Sequence, residues 1–213
     1  MTQKRIVALK VVVWLACLEP ALLLLYQFFT HDLTANPIEF ITLSTGTTTL
    51  VLLLVTLAIT PVRKITGLTW LIRFRRLLGL FAFFYVMLHF ATYIVLDKFF
   101  DWQAIMGDIM KRPFITVGFA AFVLMVPLAV TSTAWSIRKL GGRRWNLLHR
   151  MIYVSAVLAI IHFWWKVKAD HIEPATYGSV LAILLLSRVW LWTHSKKAKR
   201  PPARPAEPAL AGD

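Results

Sequence analysis

Cysteine is nearly absent from this sequence, since Cys17 is the only one among 213 residues. A single cysteine excludes an intrachain disulfide, a thiol redox pair and a cysteine zinc cluster. Charged residues are also scarce, at 16% of the chain, whereas 58% of the residues are hydrophobic. The hydrophobic residues form long blocks without amphipathic spacing, which is typical of membrane proteins. Any redox chemistry in this chain therefore requires a cofactor.

Acidic residues are few beside basic ones, with 10 Asp and Glu against 24 Lys and Arg, a net charge of +14. In a soluble protein this excess would suggest a nucleic-acid partner. Here the basic residues lie in short loops beside apolar blocks, where they orient membrane helices. We therefore expect no nucleic-acid partner. The sequence also has no G-x-G-x-x-G motif after a strand, so we expect reducing equivalents to come from another molecule.

The apolar blocks predict an all-α fold, a polytopic bundle of six membrane-spanning helices that each approach the ~20 residues a bilayer requires. The predicted spans cover residues 6–29, 40–60, 75–96, 113–134, 147–167 and 176–194. The first is too long for a signal peptide and lacks a small-residue cleavage site, so we expect it to be retained. We divide the chain into a transmembrane domain, 1–195, and a basic, Pro-rich tail, 196–213, which we expect to be disordered.

Basic residues crowd the second and fourth connections between the spans. They are Arg63, Lys64, Arg73, Arg75 and Arg76 in the second connection, and Arg138, Lys139, Arg143, Arg144 and Arg150 in the fourth. By the positive-inside rule, these connections and both termini are predicted to be cytoplasmic.

Two histidines are predicted to lie at one depth, because His89 and His162 stand at similar distances along spans that run in the same direction. Facing histidines at equal depth can supply both axial ligands of a b-type haem. Ala82 and Ser155 each lie seven residues before their histidine, and such small side chains leave room for a flat macrocycle. Lys166, one turn beyond His162, is placed to pair with a haem propionate. The alternative for each histidine is a structural hydrogen bond between helices.

A third histidine, His149, lies 13 residues before His162. That spacing corresponds to about 20 Å and about 140° of rotation along a straight helix, so His149 should serve a different site or none. It could be structural, could bind a second haem with an unusual partner, or could donate a hydrogen bond to a quinone head group at the cytoplasmic interface. We favour the quinone role.

Two further features of the apolar blocks need a reason. Glu19 is a carboxylate deep in the first span, and it is interpreted either as part of the kink at Pro20 or as a proton or quinone site. The run from Thr42 to Leu50 is interpreted as helix-packing surface, with hydroxyls bonding to the backbone and Gly46 permitting close approach.

Three stretches carry a resemblance to a known family: "NPIEFITLSTGTTTLVLLLVTLAITPVRK", "RFRRLLGLFAFFYVMLHFATYIVLD" and "TSTAWSIRKLGGRRWNLLHRMIYVSAVLAIIHFWWKVK". They resemble the MsrQ (YedZ) family, within the wider ferric-reductase-like superfamily, and the likeness covers nearly all the chain except the tail. It implies haem histidines at His89, His149 and His162. Arg75 and Arg76 stand where related oxidases carry an inner haem histidine.

The resemblance also implies the function. It implies a bacterial inner-membrane electron-transfer subunit, with haem b and FMN as cofactors, that passes electrons from the quinone pool to MsrP. MsrP is a periplasmic molybdopterin reductase that repairs methionine sulfoxide in envelope proteins. No residue of the present chain is expected to be catalytic.

The electron donor stays open between two candidates, a membrane quinol and a separate cytosolic flavin reductase that docks on the basic loops. The phosphate of FMN is expected near Arg143 and Arg144. The competing function class is a small transporter or channel without haem, in which histidines relay protons and Glu19 is the coupling site. The sequence shows no internal repeat that would favour a transporter.

Overall fold

The computed structural model describes residues 2–197 of the protein, with side chains described up to residue 194. Eight α-helices follow one another: α1 Gln3–Phe29, α2 Pro37–Thr66, α3 Arg75–Ala91, α4 Trp102–Lys111, α5 Pro113–Val130, α6 Ala134–His149, α7 Met151–Lys166 and α8 Ile172–Lys197. A 3₁₀ turn, Thr69–Phe74, precedes α3, and a π-helical segment, Thr92–Asp97, extends it. The predicted tail lies outside the described residues, apart from its first two positions, which belong to the end of α8.

Six helical stretches are long and apolar enough to cross a membrane, which confirms the predicted all-α bundle of six spans. They are Gln3–Phe29, Pro37–Thr66, Thr69–Asp97, Pro113–Val130, Ala134–Lys166 and Ile172–His194. Successive stretches alternate in direction, so the first and last described residues lie at the same end of the bundle. We call this end, which carries the second and fourth connections, the basic end.

Two segments that the sequence placed in loops form helices instead. Helix α4 begins after Asp101, whose side chain accepts a hydrogen bond from the Ala104 amide at 3.0 Å. Helix α6 begins after Thr133, which accepts from the Ser136 amide at 3.1 Å. Such side chains satisfy the free amides of a first helical turn. The fifth predicted span, 147–167, covers the end of α6 and all of α7, which one turn residue, Arg150, separates.

Prolines inside two spans leave backbone groups that other helices satisfy. Pro61 in α2 has no N–H for the carbonyl of Leu57, and that carbonyl instead accepts from an Arg188 nitrogen at 2.7 Å. In α1, next to Pro20, the Tyr85 hydroxyl accepts from the Ala21 amide at 3.0 Å and donates to the Cys17 carbonyl at 2.7 Å.

The buried Tyr85 hydroxyl thus takes the place of a direct hydrogen bond between the Ala21 amide and the Cys17 carbonyl, four residues apart in α1. This contact fixes α1, which is otherwise largely exposed, to α3. Glu19 lies beside Pro20 on the exposed surface of α1.

Two antiparallel helix pairs, α2 with α3 and α5 with α7, form the centre of the bundle. Leu53, Leu57, Ala82 and Ala156 are buried where these pairs and α8 meet. Thr42, Thr45 and Thr49 of α2 pack as the sequence predicts, with hydroxyls bonded to the helix backbone four residues earlier. These hydroxyls therefore need no hydrogen-bond partner on neighbouring helices.

Candidate functional site

The imidazoles of His89 and His162 face each other at the centre of the bundle. His89 lies in the last turn of α3 and His162 near the end of α7. Their ring centres are 6.1 Å apart and the ring planes are inclined at 83°. The structure therefore brings together the two residues for which the sequence predicted equal depth.

Each imidazole is held by a backbone carbonyl of the neighbouring helix. The Nδ1 of His89 lies 2.9 Å from the Thr42 carbonyl oxygen, and the Nδ1 of His162 lies 2.7 Å from that of Phe114. Because a carbonyl can only accept, each Nδ1 carries the proton and each Nε2 keeps its lone pair. A second hydrogen bond of this kind is what orients metal-binding histidines in proteins.

Glycines make this close approach possible. A Cβ atom built on Gly46 would lie 3.1 Å from the Nδ1 of His89, and one on Gly118 would lie 2.5 Å from the Nδ1 of His162. Any larger residue at position 118 would collide with the ring. Gly46 was identified from the sequence as a packing residue, but Gly118 was missed, because its signal is only its place opposite a histidine in the folded chain.

The two helix pairs repeat one arrangement. In each, a histidine contacts a glycine and bonds the carbonyl four residues before that glycine, at sequence separations of 47 and 48 residues. No internal repeat is visible in the sequence, because the repeated feature consists of one glycine and one histidine amid unrelated apolar side chains.

A cavity of about 460 Å³ contains this histidine pair. It reaches from exposed residues at the end opposite the basic end, among them Glu39 and Lys166, inward to Leu53 and Met125. Ser155 lines it and donates to the Ala121 carbonyl at 2.9 Å. Ala82 is fully buried in the core and does not line the cavity.

The geometry fits a haem iron between the two rings. If both Nε2 atoms pointed at a common iron, two metal–nitrogen bonds of about 2 Å, plus roughly 1.1 Å from each nitrogen to its ring centre, would separate the ring centres by about 6.2 Å. The observed 6.1 Å agrees with this separation. The cavity volume also falls in the range of about 300–1,000 Å³ that is typical of ligand sites.

Cationic side chains stand at the exposed rim of the cavity. Lys166 lies 3.9 Å from Glu39, and Arg112 lies 3.0 Å from Asp108. Both cations line the cavity and are within reach of acidic groups on a ligand. Arg112 was missed in the sequence because it follows a segment that was assigned to a loop.

Asp108 also fixes α4 to the π-helical segment. It lies 2.8 Å from the Lys98 nitrogen and accepts a hydrogen bond from the Tyr93 hydroxyl at 3.1 Å. The hydrogen bond from Lys98 holds the pKa of Asp108 below its ordinary value, and the same bond raises the pKa of Lys98.

His149 lies apart from this cavity, at the end of α6. Its ring stacks on Trp145 at 3.8 Å between centres, and its Nδ1 lies 3.1 Å from the Trp145 carbonyl oxygen. Its Nε2 is buried and makes no hydrogen bond within the described residues. Arg143 and Arg144 are exposed on α6, outside the cavity.

Comparison with known proteins gives consistent matches. The profile of the family described as ferric reductase like transmembrane component matches residues 45–160. The chain is 52% identical to the protein-methionine-sulfoxide reductase haem-binding subunit MsrQ of Ralstonia nicotianae, over 91% of each chain. It is 51% identical to MsrQ of Herminiimonas arsenicoxydans, over 90% of this chain and 88% of that protein. Identity to MsrQ of Xanthomonas axonopodis pv. citri is 46%, over 96% and 98%.

No solved structure matches the chain. The histidine geometry described above therefore has no experimental counterpart among these comparisons.

Proposed function

This chain belongs to the MsrQ family, and on that premise we propose that it carries electrons through the bacterial inner membrane by means of haem b bound between His89 and His162. The observation that carries the proposal is the pair of carbonyl-anchored imidazoles, 6.1 Å apart in one cavity. When bound there, haem supplies one-electron oxidation and reduction. Membership of this family favours electron transfer over the transporter alternative.

The residues of the chain have separate tasks in this site. The carbonyls of Thr42 and Phe114 hold the proton on each Nδ1, which leaves the lone pair of each Nε2 free to bind a metal. Lys166 pairs with one propionate at the rim, and Arg112 is placed for the other. The Ser155 hydroxyl is already hydrogen-bonded to the backbone, so this residue lines the cavity with a small side chain that needs no further hydrogen-bond partner.

We propose a membrane quinol as the electron donor and the periplasmic reductase MsrP as the acceptor. A quinol releases two electrons and two protons when it is oxidised to the quinone. Methionine sulfoxide consumes two electrons and two protons to give methionine and water, so the two half-reactions balance. The basic end would face the cytoplasm and the rim of the cavity would face the periplasm.

FMN is proposed as a second cofactor, with its phosphate at the basic end, where Arg143 and Arg144 lie. A cytosolic flavin reductase would be the alternative electron donor, and its acidic groups would meet the same exposed arginines.

His149 is proposed to accept a hydrogen bond from a quinol hydroxyl at its Nε2, because the Trp145 carbonyl keeps the ring proton on Nδ1. A buried, unbonded Nε2 supports this role, because an unsatisfied polar group is costly unless a ligand completes it. His149 does not line the His89–His162 cavity and is therefore assigned a ligand of its own.

The proposal is tested by replacing the histidines one at a time in the purified chain. His89→Ala and His162→Ala should each abolish the low-spin spectrum of haem with two histidine ligands. His194→Ala, at an exposed position in α8, is the matched control and should leave the spectrum unchanged. An unaltered low-spin spectrum in either of the first two variants would refute the pairing.

The role of His149 requires a different readout. His149→Ala should keep the haem between His89 and His162, and its reduction by dithionite, but lose reduction by a soluble quinol analogue. Loss of half the haem, from a preparation that carries two per chain, would show instead that His149 is a haem ligand.

A further inference from the structure

Buried polar atoms without a partner concentrate at the basic end. Among the described side chains five such atoms occur, and four of them lie there: Thr60 Oγ1, Arg63 Nε, His149 Nε2 and Arg188 Nε. Buried polar groups in proteins are nearly always hydrogen-bonded, so a cluster of exceptions indicates a site for a ligand. Three of the four belong to α2 and α8, away from the histidine cavity.

Arg188 is the most tightly held of these residues. One terminal nitrogen donates to the Tyr153 hydroxyl, and the other donates to the Leu57 carbonyl that Pro61 leaves free. Leu57 lies nine residues before the end of α2, which places the guanidinium about 13 Å inside the bundle from that end. Both partners are neutral, so the charge of Arg188 is not compensated by them.

The register of α2 and α3 places Thr60, Arg63 and Arg75 near one level of the bundle. Helices α2 and α3 are antiparallel, with Gly46 of α2 next to His89 of α3 and Thr56 of α2 next to Gly79 of α3. Four residues further along α2 and four residues back along α3, the same register puts Thr60 opposite Arg75. Arg63 lies three residues beyond Thr60 in α2, and its Nε is buried without a partner among the described residues. Arg75 lies within electrostatic range of Arg188.

No carboxylate balances these cations. The described part of the basic end, in residues 2–10, 60–76, 131–150 and 186–194, contains no Asp or Glu. Two guanidiniums that lie close together in a low-dielectric region repel each other, and intramembrane cations are costly without a counter-charge. An anion between the helices would supply the missing counter-charge.

We infer that Arg75 and Arg188, assisted by Thr60 and Arg63, bind the phosphate group of a ligand that enters from the basic end. A phosphate supplies both the negative charge and several acceptor oxygens, which the unpartnered N–H and O–H donors require. Arg143 and Arg144 are exposed and offer no buried donor, so the phosphate site lies deeper than the sequence suggested.

The phosphate can come from two sources, FMN or an anionic phospholipid. The FMN source rests on the proposed function, because that proposal is what introduces a flavin. The lipid source does not depend on it.

The first experiment compares FMN with riboflavin, which has the same ring system and no phosphate. Binding to the purified haem-containing chain is followed by quenching of flavin fluorescence. Arg75→Gln and Arg188→Gln should weaken FMN binding roughly tenfold to a hundredfold and leave riboflavin binding unchanged. Arg76→Gln, at the exposed neighbouring position, is the control and should bind both flavins as the unchanged chain does.

The choice of variants keeps the test independent of folding. The Arg75 side chain makes no hydrogen bond or ion pair within the described residues, so its replacement removes only charge. Arg188→Lys is the second variant at the anchored position, because it keeps the charge and loses the planar fork. The low-spin haem spectrum shows that each variant is folded. If the unchanged chain itself lacks this spectrum, that result counts against the proposed function and not against the phosphate site.

The second experiment tests the lipid source by native mass spectrometry of the same proteins in phosphatidylglycerol nanodiscs. If FMN binding does not depend on Arg75 and Arg188, a phosphatidylglycerol that is retained by the unchanged chain and lost from Arg188→Gln supports the site with a lipid phosphate. If neither FMN nor phosphatidylglycerol depends on these arginines, or if Arg144→Gln alone weakens FMN binding, the inference is wrong.

Discussion

At the scale of single residues, the glycines behind the histidines set how closely each imidazole approaches its neighbouring helix. Gly118→Ala would place a Cβ 2.5 Å from the Nδ1 of His162, whereas Gly46→Ala would place one 3.1 Å from the Nδ1 of His89. The first change must displace the ring, and overpacking of this kind costs about 1–3 kcal/mol. We expect Gly118→Ala to lower both haem content and the thermal midpoint, and Gly46→Ala to do so less.

Gly107→Ala is the matched control for these two changes. A Cβ at Gly107, in helix α4, meets no atom within 4 Å, and alanine favours a helix over glycine by about 1 kcal/mol. Haem content should therefore be unchanged in this variant. Equal haem loss in all three variants would show that the effect is not steric.

The two histidines were predictable from depth alone, because equal distance along parallel spans needs only the sequence and the rise of a helix. The anchoring carbonyls of Thr42 and Phe114 were not, since any residue type can supply a carbonyl. Arg188 was likewise missed: nothing near it in the sequence shows that Pro61, on another helix, frees a carbonyl for it.

At the scale of elements, helix α4 is fixed by one carboxylate. Asp108 binds Lys98 and Arg112 at 2.8 and 3.0 Å. The pKa of Asp108 is below its ordinary value in the folded chain, so its stabilising effect is present above about pH 4 and is lost as the pH falls further. The pKa of Lys98 is raised, so its contribution persists until the pH rises above about 10.

We therefore expect α4 to be fixed between about pH 4 and pH 10 and to loosen outside that range. The loosening of α4 is measured with a spin label on Met110→Cys, a position on α4 that is 82% exposed. The mobility of the label should increase when α4 loosens. Cys17 is buried and is replaced by Ala, so that position 110 carries the only label. Asp108→Asn should show high mobility at neutral pH and no further rise below pH 4. A label that stays immobile in Asp108→Asn would contradict this account.

Helices α4 and α6 show where sequence reasoning at this scale fails. Trp102, Met106 and Met110 recur every four residues after the capping Asp101, a pattern that indicates a helix but is too short for a membrane span. In α6, the pair Gly141 and Gly142 favours a loop, and Gly141 does adopt a left-handed φ of 73°. The spans were predicted because length and apolarity dominate their folding, whereas these short helices depend on caps and local contacts.

At the scale of the whole molecule, the two candidate sites lie toward opposite ends of one bundle. The histidine cavity opens at the end that carries Glu39 and Lys166, and the unpartnered donors around Arg188 lie toward the basic end. The placement of the two sites toward opposite ends matters to the proposed function, because electrons must enter on one side of the membrane and leave on the other. The direction in which the bundle is inserted therefore decides which site is the entrance.

Insertion direction is predicted from charge. The basic end carries the arginines of the second and fourth connections and no described carboxylate, and positively charged loops stay in the cytoplasm. A reporter fused after Asp213 should therefore be active if it is green fluorescent protein and inactive if it is alkaline phosphatase, which works only in the periplasm. The same reporters inserted at Lys168, between α7 and α8, should give the reverse result. Alkaline phosphatase activity at Asp213 would place the histidine cavity on the cytoplasmic side and exclude direct electron delivery to a periplasmic reductase.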